Sequence, residues 1–408
     1  MPTMTAFSPM TRRAVPAAAI ALAAFLGGCD FKVTNPGPLL DADLNNASAI
    51  PALVNGMGGD LSNAIGNYLT RGSLAALELR HSGNFAAERR FAAGTIGPED
   101  VNGDWARLHT ARYVAEAGLV RMKTVLGTAF ETNANTPRAY LYAGYANRFL
   151  GENVCNAVYD GGPALPNSSH FVRAESLFTR ALTISRALNN TALTNAALAG
   201  RAQVYANQGK WTEAAADAAL VPTTFRHNAV FSLNTTRENM DLAAQTITRR
   251  EVTVWNTVWV TDRDPRALYD TVKTGTTITK GQDGATNFFR QKKYLTLGDP
   301  VALAKGTEML LIRAEAALRA NDLTNAMLFI NQGRAAATLT PLTATTIDAA
   351  WAHLMRERGA VLWLEGRRLF DLKRWLADGR NTTLQGRSTC MPISLEERGA
   401  NPNVSGAP

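Results

Sequence analysis

Between residues 50 and 220 apolar side chains recur at three- and four-residue spacing, the pattern of helices that bury one face and wet the other. It predicts helices over 50–69, 105–126, 137–150, 171–188 and 193–206, and alanine, the strongest helix former, is used heavily throughout them. Between 222 and 300 the helical period is lost. That segment carries Trp255, Trp259, Tyr269, Phe288, Phe289 and Tyr294 among Thr- and Gly-rich runs, and loops with short strands are the natural reading. A second irregular stretch is expected over 83–104, where Phe85, Arg89, Arg90 and Phe91 precede Gly94, Gly97 and Pro98. The periodic pattern resumes at about 303.

Three of the periodic stretches share an internal order. Tyr142-Ala143-Gly144 leads to Gly151; Ala202 and Tyr205 lead to Gly209, Trp211, Ala214 and Ala218; Ala314 and Ala317 lead to Asn321, Leu323 and Ala326. Small residues let two antiparallel helices approach, a turn residue reverses the chain, and the side chain after it packs into the next pair. The order resembles tetratricopeptide hairpins. Copies are unevenly spaced and Asn321 replaces the turn glycine, so a continuous solenoid is not expected. The predicted fold is mainly all-α: tetratricopeptide-like hairpins near 137–220 and 303–335 form a scaffold, with a loop-rich insertion at 222–300 and few short strands.

The N-terminus changes the picture of where the chain works. Arg12 and Arg13 precede an apolar run that ends in Leu26-Gly27-Gly28-Cys29. This is the pattern of a lipoprotein leader over 1–28, with Cys29 as the lipid-attachment residue, a tether over 29–40 rich in Asn and Pro, and one helical domain over 41–408. Several acyl chains on one cysteine hold a protein to a membrane lastingly, where one chain binds reversibly. Asp30 leaves the choice of membrane and face open. In an oxidising compartment the remaining Cys155 and Cys390, 235 positions apart, are a disulfide candidate, with two separate buried thiols as the alternative. The formal charge of +8 is interspersed, without a Lys/Arg-rich run, and gives no nucleic-acid footprint.

The segment Met355-Arg356-Glu357-Arg358-Gly359-Ala360-Val361-Leu362-Trp363-Leu364-Glu365-Gly366-Arg367-Arg368-Leu369-Phe370-Asp371-Leu372-Lys373-Arg374-Trp375 carries the most specific signal. It resembles the C-terminal signature of SusD/RagB proteins, agreeing at Glu357, Arg358, Glu365, Gly366, Arg368, Phe370, Asp371, Leu372, Arg374 and Trp375 and departing at Val361, where the family usually has glutamate. Met391-Pro392-Ile393-Ser394 and Asn401-Pro402-Asn403 are similar to the family's closing elements, with Ser394 in place of a proline, so the signature spans 355–404. The resemblance implies a lipoprotein of the outer membrane, facing the cell surface, that binds oligomeric nutrient, glycan above all, and passes it to a SusC-like TonB-dependent transporter. It implies no enzyme activity and no cofactor. The alternative is a periplasm-facing repeat scaffold binding envelope proteins.

Leu362, Leu369, Leu372, Trp375 and Leu376 form a stripe at helical spacing, and Glu357, Glu365 and Asp371 lie among Arg356, Arg358, Arg368 and Arg374 at distances that suit structural ion pairs. The functional alternative, a carboxylate pair for glycoside hydrolysis, requires two carboxyl groups facing an open cleft with one of raised pKa. Nucleophile-elbow, Walker and zinc-protease motifs are missing, and His353 with Glu357 is a two-ligand pattern without a third ligand, so no metal is expected. For a sugar ligand the candidates are rings and polar neighbours in irregular segments: Phe85, Arg90, Phe91, Trp255, Trp259 and Phe289.

Overall fold

In the computed structural model, which describes residues 41–404 and 406, the first long helix is α1 (Ile50–Ala75), with Pro51 in its first turn and Val54, Met57, Leu61, Ile65 and Tyr68 buried. The leader, Cys29 and the tether lie outside the described residues. Next come β1 (Arg80–His81), α2 (Ala86–Ala93), α3 (Asn102–Leu126), α4 (Thr136–Asn153), β2 (Asn156–Ala157), β3 (Leu165–Pro166), α5 (Ser168–Ala187), α6 (Thr191–Asn207) and α7 (Trp211–Ala219). The insertion holds β4 (Arg226–Ala229), α8 (Asp241–Ile247), β5 (Val252–Thr253), α9 (Val258–Asp262), β6 (Tyr269–Thr271), β7 (Lys273–Thr274), β8 (Thr277–Ile278) and β9 (Phe289–Gln291). The chain returns to helix through β10 (Val301–Lys305), followed by α10 (Gly306–Arg319), α11 (Leu323–Ala335), α12 (Ile347–Val361), α13 (Arg368–Ala377) and α14 (Leu395–Ala400). Strands pair only in antiparallel twos, β1 with β5, β2 with β3, β4 with β10, β6 with β9 and β7 with β8. Residues from Asn45 onward form one compact unit.

The helices stack as the small-residue pattern requires. Helices α4, α5, α6 and α7 pack in succession, α7 passes the contact on to α10, and α10 packs against α11. A Cβ placed on Gly144 or Gly200 would come within 2.8 and 2.4 Å of the Phe178 ring, and one on Gly151 within 2.6 Å of Phe171. Thus α4 and α6 both press on the same ring of α5, at a distance only glycine permits. Tyr145 meets Phe178 edge-on at 4.9 Å and donates its hydroxyl to the Ala196 carbonyl. The hairpin turns reverse through left-handed residues, Gly209 at φ 77° and Asn321 at φ 61°. Asparagine tolerates this region better than other non-glycine residues, which explains how it substitutes in the last hairpin. Asp322 then caps α11 by accepting from the Asn325 amide at 3.0 Å.

Two expectations need correction. The 83–104 stretch contains the helix α2, built from Ala86-Ala87-Glu88-Arg89-Arg90, all strong helix formers, and stopped by Gly94 in the left-handed region at φ 76°. The signature is not one helical stripe. α12 ends at Val361, and a turn with Leu364 at φ 57° and Gly366 at φ 70° redirects the chain into α13. In that turn Gly366 lies against Leu69 and Phe149, so it joins the C-terminal segment to α1 and α4. Trp259, Trp351, Trp363 and Trp375 are all fully buried.

Cys155 and Cys390 are disulfide-bonded, with Cα atoms 5.1 Å apart. Backbone bonds frame the bridge: the Cys155 amide donates to Met391 O and the Met391 amide to Asn153 O, each at 2.8 Å. The end of α4 is thereby fastened to the closing segment of the chain.

Candidate functional site

The charges of the signature are committed to holding elements together. Glu357 accepts from Arg334 at 2.5 Å and Arg266 at 2.6 Å; Arg358 bonds Asp371 at 2.8 Å; Arg374 clamps Glu315 at 2.6 and 3.0 Å and also reaches Asp371. Arg367 bridges Glu152 of α4 and Glu308 of α10 at 3.0 and 2.9 Å. Glu365 receives both Lys293 and Lys305 at 2.6 Å. Most partners come from outside the signature. Burial opposes the charge of Glu365, yet the two lysines hold its pKa below the ordinary carboxylate value, and the same balance of burial against arginines keeps Glu315 and Asp371 low. Glu78 behaves differently: burial pushes it up to about 7 against the pull of Arg368, and it accepts the Leu364 amide at 3.1 Å. It is 1 % exposed and faces no cleft. His353 holds its Nε2 3.1 Å from Thr343 O. Among the described residues no group of three His, Cys, Asp or Glu side chains is placed to hold a metal.

The sugar-binding candidates separate into two sets. Phe91 and Trp259 are closed inside the core, where Trp259 lies 5.3 Å from the Arg368 guanidinium and Phe91 5.9 Å from that of Arg71. A ring without an exposed face offers no stacking platform. Arg90 chelates Asp100, with Nε 2.7 Å from both carboxylate oxygens. Phe85, in contrast, is 40 % exposed at the start of α2, with the Arg249 guanidinium 4.8 Å over its ring and a hollow of about 330 Å³ beside it. Trp255 and Phe289 are half-buried.

Local hydrogen bonding draws Phe85, Trp255 and Phe289 into one cluster of loops. β1 pairs with β5, the Ser82 amide donates to Glu251 O, the Asn84 amide to Glu251 Oε2, and the Asp283 amide to Ser82 O. The Thr253 hydroxyl is the knot: it accepts the Phe289 amide at 2.8 Å and the Trp255 amide at 3.1 Å. Phe289 stacks flat on Tyr269 across the β6–β9 pair, centroids 5.4 Å apart and planes 3° from parallel. Asp270, the next residue on β6, is shared by Arg290 and Lys292 at 3.3 and 3.2 Å. Tyr269 was visible as an aromatic of the insertion, but nothing local in the sequence marked it as the backing of Phe289.

A second concavity, about 510 Å³, lies over the middle of α1. Its walls are the Asn55 to Asn63 turns of α1, Arg138 and Tyr142 of α4, and the Asn228 to Ser232 stretch at and beyond β4. Arg138 donates to Asn55 Oδ1 at 3.0 Å and Tyr142 Oη at 3.3 Å; the Val230 amide donates to Ser62 Oγ, and Asn63 Nδ2 to Arg237 O. None of the six candidates lines this groove. Its residues are drawn from four segments far apart in sequence, around 55–63, 138–142 and 228–238 and at Leu303, so no local signal could have found it.

With this geometry in hand, the chain can be set beside known proteins. The family model described as the SusD family matches residues 223–404. Comparison with curated protein sequences gives no match. Among solved structures, a SusD superfamily protein of Bacteroides vulgatus superposes with TM-score 0.65 at 16 % identity, over 87 % of this chain and 97 % of that one. A SusD-like carbohydrate-binding protein of the same species gives TM-score 0.62 at 16 % identity, over 81 % and 83 %. A laminarin-binding SusD-like protein gives 0.57 at 14 % identity, over 86 % and 97 %. The shared feature is the helical fold, with its tetratricopeptide-type hairpins.

Proposed function

The chain belongs to the SusD/RagB family, and from that premise we propose that it is a lipid-anchored capture protein of the outer membrane, binding an oligosaccharide and handing it to a TonB-dependent transporter. The carrying observation is the loop cluster in which the Trp255 and Phe289 amides both donate to the Thr253 hydroxyl and Asn84, next to Phe85, is tied to Glu251. Apolar faces of sugar rings stack on such side chains, and neighbouring guanidinium and amide groups orient the hydroxyls. Carbohydrate binding by the two structural relatives named above supports the ligand class. The Leu26-Gly27-Gly28-Cys29 pattern supports attachment by lipid at Cys29. The scaffold is suited to the task because its charges are locked in buried bridges, leaving the loops to vary without loss of the fold.

Isothermal titration of the purified soluble protein with laminari-oligosaccharides and a panel of other glycans tests the reading. Trp255→Ala and Phe289→Ala are each expected to weaken the preferred glycan about ten-fold, since a stacked ring contributes about 1–2 kcal/mol. Co-purification from membranes with a large barrel protein tests the handover. Full affinity in both variants would refute the assignment of the site.

A further inference from the structure

The groove over α1 has two properties that the fold does not need. Gly56 and Gly59 lie inside a 26-residue helix, where glycine is destabilising relative to alanine, yet a Cβ at either would meet no heavy atom within 4 Å. Gly58 between them is different, because Tyr142 occupies the space its side chain would need. Packing therefore explains Gly58 and leaves Gly56 and Gly59 as residues that keep the groove clear. The second property is the charge of Arg138. Arg237 across the groove is paired with Asp60, and Glu238 accepts the Ser232 hydroxyl. Arg138 has only the neutral oxygens of Asn55 and Tyr142, and no carboxylate among the described residues lies within ion-pair distance of it.

The lining thus includes a guanidinium without a counter-charge, a half-buried tyrosine ring, the buried Phe231 and the amides of Asn55, Asn63 and Asn228, besides the already partnered Arg237 and Glu238, around a volume within the roughly 300–1,000 Å³ usual for ligand sites. An amide-rich wall with the accessible ring of Tyr142 suits a polyhydroxylated ligand. The planar fork of arginine suits a carboxylate, which it can bind through two parallel hydrogen bonds. We propose that this groove is a second saccharide site, separate from the loop cluster, and that Arg138 gives it a preference for sugars bearing a carboxylate, such as uronic acids. Only the class of ligand rests on the capture reading; the site itself rests on the groove.

The test is titration of the purified protein with trigalacturonate and, as the neutral probe, laminaritriose. Arg138→Gln is expected to weaken trigalacturonate at least ten-fold and leave laminaritriose unchanged, a charge-assisted bond being roughly that much stronger than a neutral one. Gly59→Leu is expected to abolish trigalacturonate binding while melting no lower than the wild type, because the new side chain enters open groove and leucine favours helix. Trp255→Ala is expected to leave trigalacturonate binding intact. Wild-type affinity for trigalacturonate in both groove variants overturns the proposal. So does a protein that binds laminaritriose through Trp255 but ignores trigalacturonate, an outcome that leaves the capture reading standing. Should Gly59→Leu spare both sugars yet release a co-purifying membrane protein, the groove is a protein contact and the saccharide assignment falls.

Discussion

Glycine-to-alanine exchange inside a helix ordinarily stabilises, by about 0.5–1 kcal/mol, through lower backbone entropy in the unfolded chain and better helix propensity. At Gly200 the sign should reverse. The added methyl would lie 2.4 and 2.5 Å from two atoms of the Phe178 ring, and the ring has little room to retreat, because it is fully buried and packs so near Gly144 that a methyl there too would come within 2.8 Å of it. Overpacking of this kind costs about 1–3 kcal/mol, so Gly200→Ala should lose about 0.5–2 kcal/mol net. Gly56→Ala, the same change in a helix whose neighbouring space is empty, should gain up to about 1 kcal/mol. Urea unfolding followed by tryptophan fluorescence and circular dichroism compares the two with the wild type. Adding Phe178→Leu to Gly200→Ala should recover part of the loss, since it removes ring atoms from the point of collision. If Gly200→Ala unfolds at the same urea concentration as Gly56→Ala, the ring is free to move and the tight contact between Gly200 and Phe178 is refuted.

Three further outcomes follow from the buried charges and the bridge. Glu365→Gln leaves Lys293 and Lys305 near each other with their shared counter-charge gone and should cost about 3–5 kcal/mol in denaturant titrations, partly recovered by Lys293→Met. Glu78, raised to about 7 by burial, binds a proton in the folded chain that the unfolded chain has already released above about pH 4.5. Stability from this group therefore declines as pH rises from about 4.5 to 7, by on the order of 3 kcal/mol. Glu78→Gln, which still can accept the Leu364 amide, should melt higher than the wild type at pH 8 and level with it near pH 4; equal melting curves at both values would contradict the sign. Replacing both Cys155 and Cys390 by serine opens a loop of 235 residues, and up to about 5 kcal/mol should be lost on the chain-entropy account, read as a lower urea midpoint that reducing agent no longer changes.

The amino-acid order by itself determined the long helices α1, α3, α4, α5 and α6, because a 3.6-residue apolar period and abundant alanine are local properties that tertiary packing had only to accept, whereas α2 and the helices of the insertion went unread. It also determined two of the three hairpin turns: Asn321 and Gly209 share one backbone conformation, and both residue types announce it, whereas Gly151 lies inside α4 against Phe171. The signature named the family through Glu357, Glu365, Asp371 and their neighbours, but not what these charges do. Their partners Arg334, Arg266, Lys293, Lys305 and Glu315 are brought in from other helices and from the insertion, and spacing along one segment cannot reveal them. The same limit governs the site. Phe91 and Trp259 have the same local appearance as Phe85 and Trp255, and only the packed structure sends one pair inside and leaves the other pair accessible, since burial depends on which surface arrives from elsewhere. The groove over α1 is the extreme case. Asn55, Arg138 and Asn228 are each unremarkable in sequence, and they become neighbours because α1, α4 and β4 close on one another in the fold.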